Sequence, residues 1–115
     1  MAQITYDISA DQGTDYAVTF TYRDSNNALV NLTGATARMQ VRRFVESSYP
    51  FLTIPSGNGI TLGGAAGTIA LVISAASLSA IPAGAYKYDI EIITSSSTVV
   101  KLIAGNFILN GEVTR

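Results

Sequence analysis

From Ala35 to Arg42 the chain alternates. Ala35, Ala37, Met39 and Val41 fall on one side, and Thr36, Arg38, Gln40 and Arg42 on the other. A period of two is that of a β-strand with one face buried and one in water. The same grammar recurs along the chain. Ile4, Tyr6 and Ile8 alternate with Thr5 and Asp7, and Tyr16, Val18, Phe20 and Tyr22 alternate with Ala17, Thr19 and Thr21. Tyr86, Tyr88, Ile90 and Ile92 alternate with Lys87, Asp89 and Glu91. Such a chain is constrained to an all-β fold.

The breaks between these runs carry turn chemistry. Asp11-Gln12-Gly13-Thr14-Asp15, Asp24-Ser25-Asn26-Asn27, Gly57-Asn58-Gly59 and Ser95-Ser96-Ser97 separate the strands. Asn takes the left-handed conformation cheaply, so the second cluster reads as a hairpin turn, with Ala28–Val30 pairing back. Gly63-Gly64-Ala65-Ala66-Gly67 reads as a longer hairpin connection. Ala75–Ile81 is helix-permissive and is stopped by Pro82-Ala83-Gly84. Pro50 and Pro55 bracket Phe51-Leu52-Thr53-Ile54, which makes that run an edge strand or an extended arm. Val99–Leu109 reads as one strand with a bulge or kink at Gly105-Asn106. Short strands at roughly 8–12-residue spacing point to a sandwich or barrel. The reading is one domain over residues 1–115, an antiparallel β-sandwich, Ig-like in size and strand count, with a small jelly-roll or barrel as the alternative.

Composition limits the chemistry. The 115 residues contain no His and no Cys. The commonest general base is therefore missing, and Cys–His and Ser–His–Asp catalysis are excluded. Cys-based metal sites and disulfides are excluded as well. Asp89 and Glu91 lie two apart on one strand face, the spacing of a carboxylate dyad, but with Lys87 beside them they read as a solvated row. Asp7, Asp11 and Asp15 match no known calcium loop. Gly63–Gly67 lacks the Lys-Ser/Thr of a phosphate cradle. The chain reads as a non-enzyme without cofactor or metal. Seven basic and eight acidic residues nearly cancel, so direct nucleic-acid binding is not expected. No apolar run is long enough to span a bilayer, so no membrane partner is expected. Only 13% of residues are charged. A surface so poor in charge suggests burial against partners, as a homo-oligomer or multi-copy component.

One set of motifs adds a setting. Tyr6-Asp7-Ile8 leads to Gln12-Gly13-Thr14-Asp15-Tyr16, then Phe20-Thr21-Tyr22-Arg23-Asp24 and Leu29-Val30-Asn31-Leu32-Thr33-Gly34 running on to Arg42. Gly59-Ile60-Thr61-Leu62, Ala83-Gly84-Ala85-Tyr86-Lys87-Tyr88-Asp89-Ile90-Glu91-Ile92 and the closing Glu112-Val113-Thr114-Arg115 follow. Over nearly the whole chain this resembles small tail-associated virion proteins of tailed bacteriophages, and it is similar to the N-terminal Ig-like domain of phage upper-baseplate proteins. The resemblance implies a structural role in a virion, with other phage virion proteins as partners in the tail, baseplate or neck. A capsid decoration or cement protein is the alternative. A carbohydrate-binding module is a further one, disfavoured because the chain has no Trp. The chain ends without a downstream fibre or receptor-binding segment, so host recognition is not expected of it.

The candidate interface is the segment that does not alternate. Arg42, Arg43, Phe44, Tyr49, Phe51 and Ile54 combine aromatic, aliphatic and Arg side chains, the composition of interface hot spots. The other reading is a loop folded back over the open end of the sandwich.

Overall fold

The computed structural model describes residues 4–24, 26–48 and 50–111. Among these residues nine strands form two sheets. They are β1 (Ile4–Thr5), β2 (Ile8–Asp11), β3 (Tyr16–Thr21), β4 (Thr36–Arg42), β5 (Leu52–Pro55), β6 (Ile60–Leu62), β7 (Thr68–Ile73), β8 (Gly84–Ile93) and β9 (Val99–Asn110). A 3-10 turn, Gly64–Ala66, precedes β7, and the short helix α1 (Ala75–Ser79) follows it. One sheet runs β1-β9-β8-β4-β5, with β2 continuing alongside β9; the other runs β3-β7-β6. Pairing is antiparallel throughout, except that β1 and β2 lie parallel to β9.

This strand order is that of an Ig-like sandwich. A three-stranded sheet faces a sheet built on the pairs β5–β4, β4–β8 and β8–β9. Neither sheet closes into a barrel. A second Ig signature lies at the corner before β8, where the Tyr86 hydroxyl donates to the backbone carbonyl of Pro82. Such a tyrosine corner usually precedes an inter-sheet Cys by two residues. Here that position is Tyr88, so packing alone ties the sheets together.

The core follows from the alternation. Ala37, Met39 and Val41 on β4 and Tyr86, Tyr88, Ile90 and Ile92 on β8 are all buried. They meet Phe20, Ile60, Ile69, Leu71 and Ile73 from the opposite sheet in one continuous cluster. No polar or charged residue is buried among those described. Full burial of each large side chain contributes about 1.5–3 kcal/mol. The expected helical segment is α1, capped by the Ser74 hydroxyl, which accepts from the Ser77 amide. Its one buried residue, Leu78, pins it to the core. Asn27 takes a φ of 63°, as the hairpin reading requires, and Asp24 Oδ1 accepts from the amides of Asn26 and Ala28. Ser25 of that cluster lies outside the described residues.

Two local expectations need correction. The first alternating run, Ile4 to Ile8, is not one strand but divides at Tyr6-Asp7 into β1 and β2. The bulge in β9 is not at Gly105-Asn106. Ile90 faces Ile103 while Glu91 faces Lys101, so the extra residue is Leu102. The bulge lets consecutive residues Leu102 and Ile103 both be buried. Gly105 serves a different need. A Cβ there would lie 2.2 Å from the carbonyl oxygen of Tyr6, so glycine allows the β1–β2 link to cross close over β9.

Candidate interaction surface

Six charged side chains gather on the outer face of the larger sheet. Register places them in three rows across β4, β8 and β9: Arg38, Glu91 and Lys101; Gln40, Asp89 and Ala104; Arg42, Lys87 and Asn106. Small Ala104 leaves the middle row low while longer side chains stand around it. The result is an open groove of about 420 Å³, flanked by Asp7 on the β1–β2 link and by Val45 beyond β4.

The rows are not electrostatically equivalent. In the first, Glu91 Oε1 accepts from Arg38 Nε at 2.9 Å and from its terminal nitrogen at 2.9 Å. Asp89 lies 3.7 Å from Lys101 Nζ. The two carboxylates at dyad spacing are thus each turned to a cation. In the third row Arg42 and Lys87 stand directly opposite each other with no carboxylate between them. Like charges so placed are unfavourable. Arg42 is held by neutral acceptors, the Ser47 carbonyl at 2.8 Å and Gln40 Oε1 at 2.9 Å. Lys87 donates to Asn106 Oδ1. Neither cation has an ion-pair partner among the described residues.

The other acidic candidates are dispersed. Asp7 Oδ1 accepts from the Asn106 amide, Asp11 Oδ1 from the Asn110 side chain and Asp15 Oδ1 from the Ala75 amide. The tyrosines beneath the groove are poor candidates for chemistry. Burial, with Tyr16, Asp7 and Tyr6 nearby, raises the Tyr88 hydroxyl well above its ordinary range, and that hydroxyl donates to the Tyr6 carbonyl at 2.5 Å. Tyr16 is pushed up to about 12, mainly by burial and then by the neighbouring Tyr6. On the far side, a cavity of about 100 Å³ is lined by Tyr22, Leu32, Ile92 and Ser95. It has room for a few waters near the Tyr22 hydroxyl, which has no protein partner among the described residues.

The six side chains expected at the interface separate into distinct groups. Phe44 is 62% exposed at the tip of the β4–β5 loop, and Val45 beside it, which the sequence reading passed over, is 75% exposed. Arg42 is half-buried at the root of that loop. Phe51 meets Tyr86 edge-on, with ring centroids 5.1 Å apart, and the Arg43 guanidinium sits over the same ring at 5.2 Å. For Phe51 and Arg43 the second reading is therefore the better one, since both close the end of the sandwich over Tyr86. Phe51 still leaves 43% of its surface in water. Ile54 is corrected outright. It faces Met39 across the β4–β5 ladder and is 5% exposed, a core residue. The prolines hid its inward register. Tyr49 lies outside the described residues.

The loop that carries Phe44 and Val45 is held in shape. The Phe44 amide donates to Ser47 Oγ at 3.0 Å, and the Ser47 amide donates to the Phe44 carbonyl at 3.1 Å. Two exposed apolar side chains are thus fixed beside the unpaired Arg42–Lys87 cations. The Arg38–Glu91 pair, by contrast, is solvent-facing. Glu91→Ala is expected to lower stability by about 0.2–1 kcal/mol, with the difference shrinking in high salt. Urea titration of the two proteins at low and high ionic strength measures it.

No protein-family model and no curated protein matches this chain. A solved structure from work on multimeric cell-adhesive interactions of VGSC beta subunits is similar at 13% identity, over 96% of this chain and 93% of that one, with a TM-score of 0.48. A likeness at that level carries no inference about function, and the Ig-like assignment rests on strand order and the Tyr86 corner.

Proposed function

We propose that this chain is a non-enzymatic structural protein of a phage virion, assembling through protein–protein contacts in the tail, baseplate or neck. The observation that carries the assembly part is the hydrogen-bonded β4–β5 loop, which holds Phe44 and Val45 in water beside Arg42 and Lys87. Leaving such side chains exposed forgoes roughly 1.5–3 kcal/mol each. A partner that covers them recovers it, and the hydrogen-bonded Phe44–Ser47 turn lowers the ordering cost of binding. The partner surface that fits is apolar with acidic groups at its rim. The virion setting is supported by the sequence motifs from Tyr6 to Arg115.

The test is a Phe44→Ser, Val45→Ser variant. Both side chains are solvent-facing, so the variant is expected to keep its unfolding midpoint and to be lost from assembled particles. Incorporation at the wild-type level, measured by mass spectrometry of purified virions, would sink the proposal.

A further inference from the structure

Four of the five outer strands of this sandwich are poor templates for another chain. β1 has two residues and β6 three, while β2 and β5 have four each, and β5 ends in Pro55. Short edges and proline are the usual protections against edge-to-edge pairing. β3 has neither. It runs six residues, Tyr16–Thr21, and among the described residues pairs with β7 on one side only.

Its free edge can be read residue by residue. The Tyr22 amide donates to the Gly67 carbonyl, on the β7 side. Because antiparallel partners alternate, Ala17, Thr19 and Thr21 turn their amides and carbonyls outward, away from β7. All three are exposed, and no backbone hydrogen bond reaches them from another element among the described residues. The outer face of this sheet carries Ala17, Thr19 and Thr21 on β3 and Thr68, Ala70 and Val72 on β7, with no charge. The nearest charged residues on β3's line are Asp15 at one end and Arg23 at the other, both exposed. Neither forms an ion pair within the described residues.

From this we propose that β3 pairs antiparallel with β3 of a second copy of this chain, about a two-fold axis at Thr19. The two three-stranded sheets then join into one of six strands. Symmetry is the usual obstacle to such pairing, because a charged residue near the axis meets its own copy. Here Thr19 meets Thr19 of the partner, and Thr–Thr is a favourable cross-strand pair. Ala17 falls opposite Thr21. One step further out, the same register sets Asp15 of each copy opposite Arg23 of the other, so both ends close with opposite charges. A shift of the axis by one residue, to Val18 or Phe20, would still pair the outward amides, but it would set Asp15 opposite Thr21 or Arg23 opposite Ala17, so the opposite charges would no longer meet. This surface lies on the sheet remote from Phe44 and Val45, so the inference stands apart from the virion reading.

Sedimentation equilibrium of the full chain across concentration tests it. The wild type is expected to show a monomer–dimer equilibrium. Thr19→Lys places two like charges at the axis and is expected to leave only monomer, with the thermal midpoint unchanged at concentrations where the wild type is also monomeric, because the side chain faces water. Asp15→Arg or Arg23→Asp alone is expected to raise the dimer Kd by roughly 5–30-fold over the two symmetric contacts. The double variant, D15R with R23D, is expected to bring it back. That rescue separates pairing from the loss of the Asp15–Ala75 hydrogen bond, which the double variant does not restore. A wild type still monomeric at roughly 1 mM, the Kd of the weakest specific pairings, would overturn the proposal. So would a dimer that survives Thr19→Lys but is lost in the Phe44→Ser, Val45→Ser variant.

Discussion

Phe107→Ala is expected to destabilise the protein by about 3–5 kcal/mol, the range for removing a buried aromatic ring. Phe107 is wholly buried. It faces Ile8 across the β2–β9 ladder and Tyr86 across the β8–β9 ladder, so its ring joins three strands of the larger sheet at the end that holds the Tyr86 corner. The cavity left behind would sit under the Tyr86 corner, which cannot relax inward without giving up the bond to Pro82. Against a typical total of about 5–15 kcal/mol, the loss leaves a marginal fold. Ile90→Ala, also at a fully buried position, is expected to cost about 2–5 kcal/mol. Guanidinium titrations of both, set against Glu91→Ala, give the scale. Equal losses at Ile90 and Glu91 would mean that β8 is displaced by one residue, since a one-residue slip exchanges its faces.

Those expectations rest on how directly the alternation encodes the sandwich. Tyr86, Tyr88, Ile90 and Ile92 are apolar at every second position and are buried at every second position, because β8 is central in its sheet and has water on one side only. The same logic worked for β4. It was less complete at the margins. Tyr6 belongs to the alternating set yet keeps 39% of its surface exposed, because the chain breaks from β1 to β2 there and its ring meets Phe20 edge-on at the flank. The bulge at Leu102 is not legible because a bulge adds a residue without any compositional mark, whereas glycine marks only where the backbone needs room. The parallel course of β1 and β2 beside β9 was not legible at all, since strand direction leaves no trace in periodicity.

The candidate surface was legible only in part, and for a related reason. Phe44 stands out from composition because it breaks the alternation next to Arg42 and Arg43. Whether a ring in such a segment is free depends on what lies across the sandwich end, and here Tyr86 lies under Phe51 but not under Phe44. Ile54 looked like part of the arm, yet its pairing with Met39 turns it inward. The like-charge pair Arg42–Lys87 needed the β4–β8 register, which joins residues 45 positions apart in sequence. So did the facing of Asp15 and Arg23 in a paired β3, which appears only once the free edge of that strand is known.

Gly105→Ala is expected to cost about 2–4 kcal/mol although it adds one methyl group. The new Cβ would stand 2.2 Å from the Tyr6 carbonyl oxygen and 2.8 Å from its carbon. Both are backbone atoms, so no side-chain rotation relieves the clash, and the β1–β2 link must lift off β9. Overpacking alone costs about 1–3 kcal/mol. Lifting the link also weakens three bonds centred there: the Tyr6 amide to the Ala104 carbonyl at 3.1 Å, the Asn106 amide to Asp7 Oδ1 at 2.9 Å, and the Tyr88 hydroxyl to the Tyr6 carbonyl. The last matters most, because a buried hydroxyl left without a partner costs about 1–3 kcal/mol on its own. Gly111→Ala is the control. Its Cβ would meet nothing closer than 3.8 Å, so it is expected to change stability by less than about 0.5 kcal/mol. Hydrogen exchange distinguishes a local from a global effect. In Gly105→Ala the amides of β1 and β2 should exchange faster than the loss of global stability accounts for, while those of β4 and β8 quicken only in step with that loss. If instead both glycine variants unfold at the same denaturant concentration as the wild type, the close crossing of Tyr6 over β9 is not a feature of the folded protein.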